Sequence, residues 1–443
     1  MSLLKTFNRG GIHPPDEKRS ANEPIGYGTI PAQLIIPVNQ HIGRPTEIVV
    51  ERRAAVRRGD LLAKSTGFVS SNVHTPLDGV VQKIVRMPLL GGQISDCVII
   101  KPENIGGDFK EILDADVANE VNVEGLAKDE IKKKIDDAGI VGMGGAGFPT
   151  HVKLSPPPEK PIDQLIINGA ECEPYITSDH RLMLEKSSEM IKGIRILQRL
   201  FDDIPVTIGI ESNKPDAIEN MTTAASEYKN ITVQALQVKY PQGGEKQLIQ
   251  AITGREVPSK GLPMDVGVVV QNVATVVAIH DAFYYGKPLT ERVTTVSGNL
   301  VEKPFNIVYP MGTPVSHLIG AHGIDAEKIR LLIGGGPMMG RTALSLESPI
   351  GKTTSALLFF DETAYEEREE NPCIRCGNCI AACPMGLAVA QLTEIIQANN
   401  IDTKAKDDIL DCIECGSCSY VCPADRRLVE WMRIGKNIIR REK

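Results

Sequence analysis

Between residues 31 and 105 the chain sets short apolar runs apart with polar turns. Residues 34–38 (LIIPV), 46–51 (TEIVVE), 79–85 (GVVQKIV) and 97–102 (CVIIKP) are rich in β-branched side chains and read as strands. Gly59-Asp60 and Asp78-Gly79 mark tight turns between them. Strands this short and this evenly spaced predict a small β barrel or sandwich. From about residue 120 the period lengthens, with Leu126, Ile131, Ile135 and Ala138 near helical spacing. Strand-like 165–168 is followed by a helical stretch around 182–200 and then by strand-like 206–210, 231–236 and 266–270. Such alternation predicts an α/β sheet with helices on its faces. Residues 291–350 return to short β runs punctuated by Gly298, Gly312, Gly320, Gly323 and Gly334, which predicts a small α+β module. Residues 361–370 form an acidic, helix-prone connector, and residues 1–30, with Gly10, Gly11, Pro14 and Pro15, read as an extended arm.

A chain of 443 residues is too long for one compact core and implies about three or four domains. The net charge of −7 and an aromatic content of 4% argue against a nucleic-acid binder, which needs clustered positive charge and stacking rings. No run of 18 apolar residues occurs; the best candidate, 265–283, is interrupted by Asn272 and His280, so no transmembrane span is expected. The N-terminus lacks the apolar core of a signal peptide. The basic segment 426–443 suits either a solvated helix face or contact with anionic lipid or an acidic partner.

Eight of the ten cysteines fall in one C-terminal window. Cys373, Cys376, Cys379 and Cys383, followed by Pro384, have the spacing C-x2-C-x2-C-x3-C-P; Cys412, Cys415, Cys418 and Cys422, followed by Pro423, repeat it. A zinc site closes with two short cysteine pairs and needs neither the third cysteine nor the proline. The doubled run instead matches two four-iron clusters, and in bacterial two-cluster ferredoxins the fourth cysteine of each run ligates the other cluster. That rule assigns cluster one to Cys373, Cys376, Cys379 and Cys422, and cluster two to Cys412, Cys415, Cys418 and Cys383. Cys97 sits in a strand-like run and is expected in a core, and His74 is expected as a hydrogen-bonded turn residue.

Residues 141–150 (VGMGGAGFPT) contain G-x-G-x-x-G, but a helix-like stretch precedes them where a dinucleotide fold needs a strand. Glycines there still let backbone N–H groups approach a phosphate or a flat ring. The segment GMGGAGFPTHVKL, together with 168–174 (NGAECEP), 243–245 (GGE) and 271–273 (QNV), resembles the flavoprotein subunit of respiratory complex I. With FNRGGIHPP, IPVNQHIG and the doubled cysteine run, the whole chain resembles the C subunit of the Rnf complex, an ion-translocating ferredoxin–NAD oxidoreductase.

The resemblance implies a multidomain α/β and α+β protein: an arm (1–30), a lipoyl-like barrel-sandwich domain (31–120), an α/β domain for FMN and NADH (121–290), a β-grasp (SLBB-like) module (291–358) and a ferredoxin-like domain with two [4Fe–4S] clusters (361–443). No lysine stands at the lipoyl-like hairpin, so that domain is read as a scaffold. By position, Gly142, Gly144, Lys153, Asn168, Glu171, Gly243, Glu245 and Asn272 would line the FMN site, and Phe148 and Glu173 would meet NADH. Met143, Ala170 and Gly244 stand where the complex I family has Arg, Asp and Glu, departures that bear on NADH more than on FMN. The implied role is a peripheral subunit on the cytoplasmic face of the bacterial inner membrane, with integral membrane subunits as partners and ferredoxin reached through the complex. A soluble cobalamin reductase of diol utilisation and a non-enzymatic electron-wiring module are the alternative readings. NADH gives two electrons as a hydride and a cluster takes one at a time, so a flavin is the required converter and no catalytic side chain is expected.

Overall fold

The computed structural model describes residues 4–364 and 368–441. Near the N-terminus, a four-stranded antiparallel sheet (order Leu34–Pro37, Ile94–Pro102, Gly79–Pro88, Ala55–Val56) accompanies a three-stranded one (Glu47–Ile48, Leu61–Lys64, Val73–His74). Leu34, Ile36, Leu62, Val81, Val98 and Ile100 fill the core. Cys97 is fully buried, and burial pushes its thiol up to about 12. His74 is not a turn residue: it pairs with Leu61 in the strand Val73–His74. Its buried Nδ1 makes no hydrogen bond among the described residues, and burial lowers its pKa to about 3.

The second sheet is wholly parallel, in the order Ile231–Leu236, Val206–Glu211, Gln164–Gly169, Val268–Asn272. Helices on both faces bury its apolar runs, as a parallel sheet requires. The helical stretch around 182–200 is two helices, Ser178–Glu185 and Ser187–Leu200, parted at Lys186. The first packs against the strand Glu291–Ser297 and the second along the helix Val273–Tyr284, so a bend lets each bury its own face.

The third sheet has six strands in the order Ile25–Tyr27, Phe305–Pro310, Glu291–Ser297, Ala356–Phe360, Leu331–Gly334, Arg341–Thr342. Its edge strand comes from the arm, with Ile25 beside Asn306 in parallel. The arm also bridges to the parallel sheet's far end through Lys5 with Leu236 and Ile12 with Tyr240. It is therefore stitched across the molecule along its length. Lys352 ties the modules as well: its buried Nζ donates to the carbonyls of Asn72 and Gly139, both at 2.6 Å.

The C-terminal region is helical: Asn378–Ala381, Val389–Gln397, Thr403–Asp411, Ser417–Tyr420 and Leu428–Arg441. The residues described within the acidic connector form no helix, and 365–367 lie outside the described residues. In the basic segment the helix Leu428–Arg441 buries Leu428, Met432 and Ile439; residues 442 and 443 lie outside the description.

Candidate flavin and cluster sites

The parallel sheet grows in one direction from Gln164–Gly169 to Val206–Glu211 and in the other to Val268–Asn272. At such a switch point the carboxyl ends of adjacent strands leave a crevice, where open α/β sheets bind ligands. Asn168 and Asn272 are register partners at this place. Asn168 Nδ2 donates to the Gly243 carbonyl at 2.9 Å, and its Oδ1 accepts the Ala170 N–H at 3.2 Å. Asn272 caps the helix Val273–Tyr284 by accepting the Ala274 N–H at 2.9 Å, and its Nδ2 donates to Asp179 at 2.6 Å.

The glycine loop closes beside them. Val141 and Pro149 bridge its ends, and the Gly142 N–H donates to the Phe148 carbonyl at 2.8 Å. The Met143 N–H donates to Thr275 Oγ1 at 2.9 Å, which pins the loop to the helix that Asn272 caps. A Cβ on Gly144 would stand 3.0 Å from the Asn272 side chain, so any larger residue there would press on it. Phe148 is 38% exposed. Lys153, in the short helix after the loop, forms an ion pair with Glu245, the first residue of the helix Glu245–Thr253. The structure thus links Gly142, Gly144, Lys153, Asn168, Gly243, Glu245 and Asn272 into one rim.

The chemistry of the rim suits the phosphate of a flavin mononucleotide. The helix Glu245–Thr253 opens there with no side chain capping its free N–H groups, a ready site for a phosphate, and the Lys153 ammonium lies at the same end in its ion pair with Glu245. Asp179 Oδ1 is buried without a hydrogen-bond partner among the described residues, although Oδ2 is held by Asn272.

Glu171 and Glu173 turn elsewhere. Glu171, at φ 47°, accepts the N–H groups of Asp179 at 2.6 Å and His180 at 3.2 Å, and so caps the helix Ser178–Glu185. Burial raises its pKa to about 7, against the pull of nearby Lys18. Glu173 accepts the N–H groups of Met338 at 3.0 Å and Met339 at 2.9 Å, in the loop of the six-stranded sheet; burial raises it to about 7 as well. The loop holding both acids is fixed by two lysines that sequence reasoning missed. Lys18 Nζ donates to the carbonyls of Glu171 and Glu173 at 2.8 Å and of Ile176 at 2.5 Å. Lys214 Nζ donates to the Ala170 carbonyl at 2.7 Å. Nothing local marks Lys18, which comes from the arm.

A pH effect follows. The folded pKa of Glu171 lies above its unfolded value of about 4.5, so the stability it contributes is full below that value and lost as pH rises through about 7. The loss reaches about 3 kcal/mol at roughly 1.4 kcal/mol per pKa unit. Urea melts at pH 5 and pH 8 are expected to show a smaller difference for Glu171→Gln than for the parent. A residual slope from Glu173, which shifts the same way, should remain.

Each cysteine run forms the same loop. Arg375 and Glu414 have φ 58° and 57°, and Gly377 and Gly416 have φ 80° and 79°. The Arg375 N–H points at Cys373 Sγ and the Glu414 N–H at Cys412 Sγ, both at 3.4 Å. Cys383, Cys412, Cys415 and Cys418 line one small cavity, with Pro384 and Leu387. Cys383 raises the pKa of all three thiols of the second run, after the larger effect of burial, which takes Cys412 to about 11 and Cys418 to about 12. Cys422 acts likewise on Cys379. The fourth cysteine of each run thus sits with the other run. Among the described residues no three His, Cys, Asp or Glu side chains converge on a single ion, while four cysteines line the one cavity. The four-sulfur donor set suits an iron–sulfur cluster, whose iron replaces the thiol protons.

The second run abuts the flavin domain. Ile12, Tyr240 and Cys415 share an apolar cluster with Cys172, Ile413 and Met338. Tyr240 Oη donates to the Cys415 carbonyl at 2.8 Å, and the Gly243 N–H points at Cys172 Sγ at 3.2 Å. Residues 240–243 therefore run from the flavin rim to cluster two.

A switch-point crevice with a phosphate-suited rim, next to a two-cluster cysteine module, defines an electron-transferring flavo-iron–sulfur protein. Four family models match: the RnfC barrel sandwich hybrid domain (residues 5–104), the Nuo51 FMN-binding domain (135–281), the SLBB domain (293–342) and the 4Fe-4S dicluster domain (366–423). The C subunit of the proton-translocating ferredoxin:NAD(+) oxidoreductase complex of Clostridium ljungdahlii is 45% identical, over 98% of this chain and 94% of the relative. Its Na(+)-translocating counterpart in Acetobacterium woodii is 40% identical, over 97% and 96%, and the C subunit of the ion-translocating oxidoreductase complex of Rhodobacter capsulatus 41%, over 91% and 78%. The chain belongs to this family, the C subunits of the Rnf-type ion-translocating oxidoreductases. In fold it is similar to a chain of an air-oxidised NAD+-reducing [NiFe]-hydrogenase, with TM-score 0.50 and 18% identity over 74% of this chain and 67% of that one. FMN and two [4Fe–4S] clusters are its cofactors. Among the described residues no helix is long and apolar enough to cross a membrane.

Proposed function

We propose that this chain is the peripheral NADH-linked subunit of an Rnf-type complex, on the cytoplasmic face of the bacterial inner membrane. It passes electrons between NAD(H), FMN and the two clusters, while partner subunits move the ion and ferredoxin is reached through the complex. The observation that carries the reading is the short run 240–243, which joins the Asn168–Gly243 side of the crevice to the cluster-two ligand Cys415. When bound, FMN exchanges a hydride with NAD(H) and single electrons with a cluster. In this reading Asn168, Asn272, Gly142, Gly144 and Gly243 shape the crevice, Lys153 and Glu245 set its charge, and Phe148, half-exposed at the end of the glycine loop, meets the nicotinamide nucleotide. Glu173 instead holds the loop beside cluster two, so its part in this reading is to position that loop.

The test is anaerobic reconstitution of the full chain, with FMN and iron counted. NADH oxidation with an artificial acceptor should appear only when FMN is present. A chain that binds FMN and both clusters, yet leaves NADH unoxidised, would place nucleotide binding on another subunit.

A further inference from the structure

The two cysteine runs are internal copies, so a feature present at one and missing at the other belongs to the surroundings and not to the motif. Cys412 and Cys415 of the second run match Cys373 and Cys376 of the first. In the second run the peptide carbonyls of both ligands accept side-chain donors. Lys436 Nζ donates to the Cys412 carbonyl, and Tyr240 Oη donates to the Cys415 carbonyl at 2.8 Å. The Ser417 hydroxyl lies 3.4 Å from Cys415 Sγ. Tyr240, Lys436 and Ser417 are all buried, so water does not stand in for them. Burial, with Glu173 behind it, raises the Tyr240 phenol, which therefore keeps its proton and stays a donor. Lys436 also meets Glu414 at 3.0 Å, and Arg433 meets the same carboxylate at 3.1 Å, so two cations face one acid and the group is net positive. Among the described residues no side chain donates to either matching carbonyl of the first run, and Cys376 is exposed.

We propose that Tyr240, Lys436 and Ser417 hold up the reduction potential of cluster two. Reduction adds one electron, and so one negative charge, to a group whose ligands Cys383, Cys415 and Cys418 are buried. Burial alone penalises that charge and pushes the potential down, because water is kept from screening it. O–H and N–H groups turned on the ligand peptides and sulfur, with an ammonium among them, stabilise the reduced state, and they act more strongly in a dry site. Once iron takes the place of the Cys415 thiol proton, Ser417 carries the only proton between the two side chains and donates it to sulfur. No bond forms and no proton moves in the reduction; the flavin supplies the electron in the working protein, and dithionite supplies it in the test below. Cluster one lacks these donors and serves as a reference in the same molecule. The inference rests on the two-cluster assignment and is independent of where NADH binds.

The test is potentiometric electron paramagnetic resonance on the full, cluster-loaded chain, prepared anaerobically and titrated with dithionite. Cluster two is the signal lost in Cys383→Ser. Lys436→Met should lower the equilibrium constant for reducing cluster two about tenfold, a fall of about 59 mV for one electron. Tyr240→Phe, which removes one oxygen and keeps the ring, should lower it about threefold. Lys436→Arg should restore most of what Lys436→Met loses. The cluster-one midpoint should stay at its parent value in all three variants. A Tyr240→Phe chain whose cluster two titrates as in the parent, or midpoints that move together in both clusters, overturns the proposal. If Lys436→Met loses iron, Tyr240→Phe decides alone. NADH oxidation by the parent chain is read separately, so failure here leaves the proposed function standing.

Discussion

Replacing Cys383 by serine is expected to cost cluster two, although Cys383 lies in the first run. Its thiol shares a cavity with Cys412, Cys415 and Cys418, and serine oxygen is a poor substitute for thiolate at iron. Iron per chain should fall by about half. Electron delivery from NADH to anything beyond the flavin should fall by about a hundredfold or more, because cluster two stands between the flavin rim and the rest of the module. Cys422→Ser should remove the same share of iron but leave cluster two reducible from the flavin. Potentiometric electron paramagnetic resonance distinguishes the two: one variant retains the cluster that the other loses. Loss of the same cluster signal in both variants would contradict the crossed assignment.

Lys18→Met should be the most destabilising single change outside the cysteines. Its ammonium is buried and donates to three carbonyls of one loop, and it faces Glu171 and Glu211. Methionine fills the space but leaves those oxygens unpaired and removes a counter-charge from a buried acidic pair. Breaking a buried charge arrangement from one side costs about 3–5 kcal/mol. The loop holds two non-glycine residues at positive φ, Glu171 at 47° and Tyr175 at 70°, and relaxation of that backbone should disturb Asn168 at its start. Chemical denaturation should report the loss of stability, and fluorimetric titration should show FMN binding weakened by at least tenfold. A variant with parent-like stability would show that the three carbonyls find water or another donor.

Much of this is legible in the sequence where periodicity or spacing is local. The runs 206–210 and 231–236 are strands, and the cysteine spacing predicts the loops that the structure displays. The glycine loop is recognisable, but its partner Thr275 lies 132 residues away and carries no signal. Glu171 and Glu173 show the limit plainly. Two acids in a motif resemble ligand-binding groups, yet one caps a helix that starts a few residues later and the other reaches the six-stranded sheet, a choice made by tertiary placement. His74 looks like a turn residue because Pro76 and Gly79 follow it; its pairing with Leu61 depends on a strand thirteen positions earlier. The edge strand Ile25–Tyr27 is three residues long, and its parallel partner lies some 280 positions on, beyond any pattern in a window.

That first segment also sets an order of assembly. The Gly11 N–H donates to the Ala382 carbonyl, so one of the earliest residues made by the ribosome waits for one of the later ones. Until the strand Phe305–Pro310 emerges the six-stranded sheet lacks its edge, and until the cysteine module follows the arm lacks its contact with Ala382. Onward electron transfer is thereby tied to completion of the whole polypeptide: a chain released before its cysteine runs would have no wiring beyond the crevice.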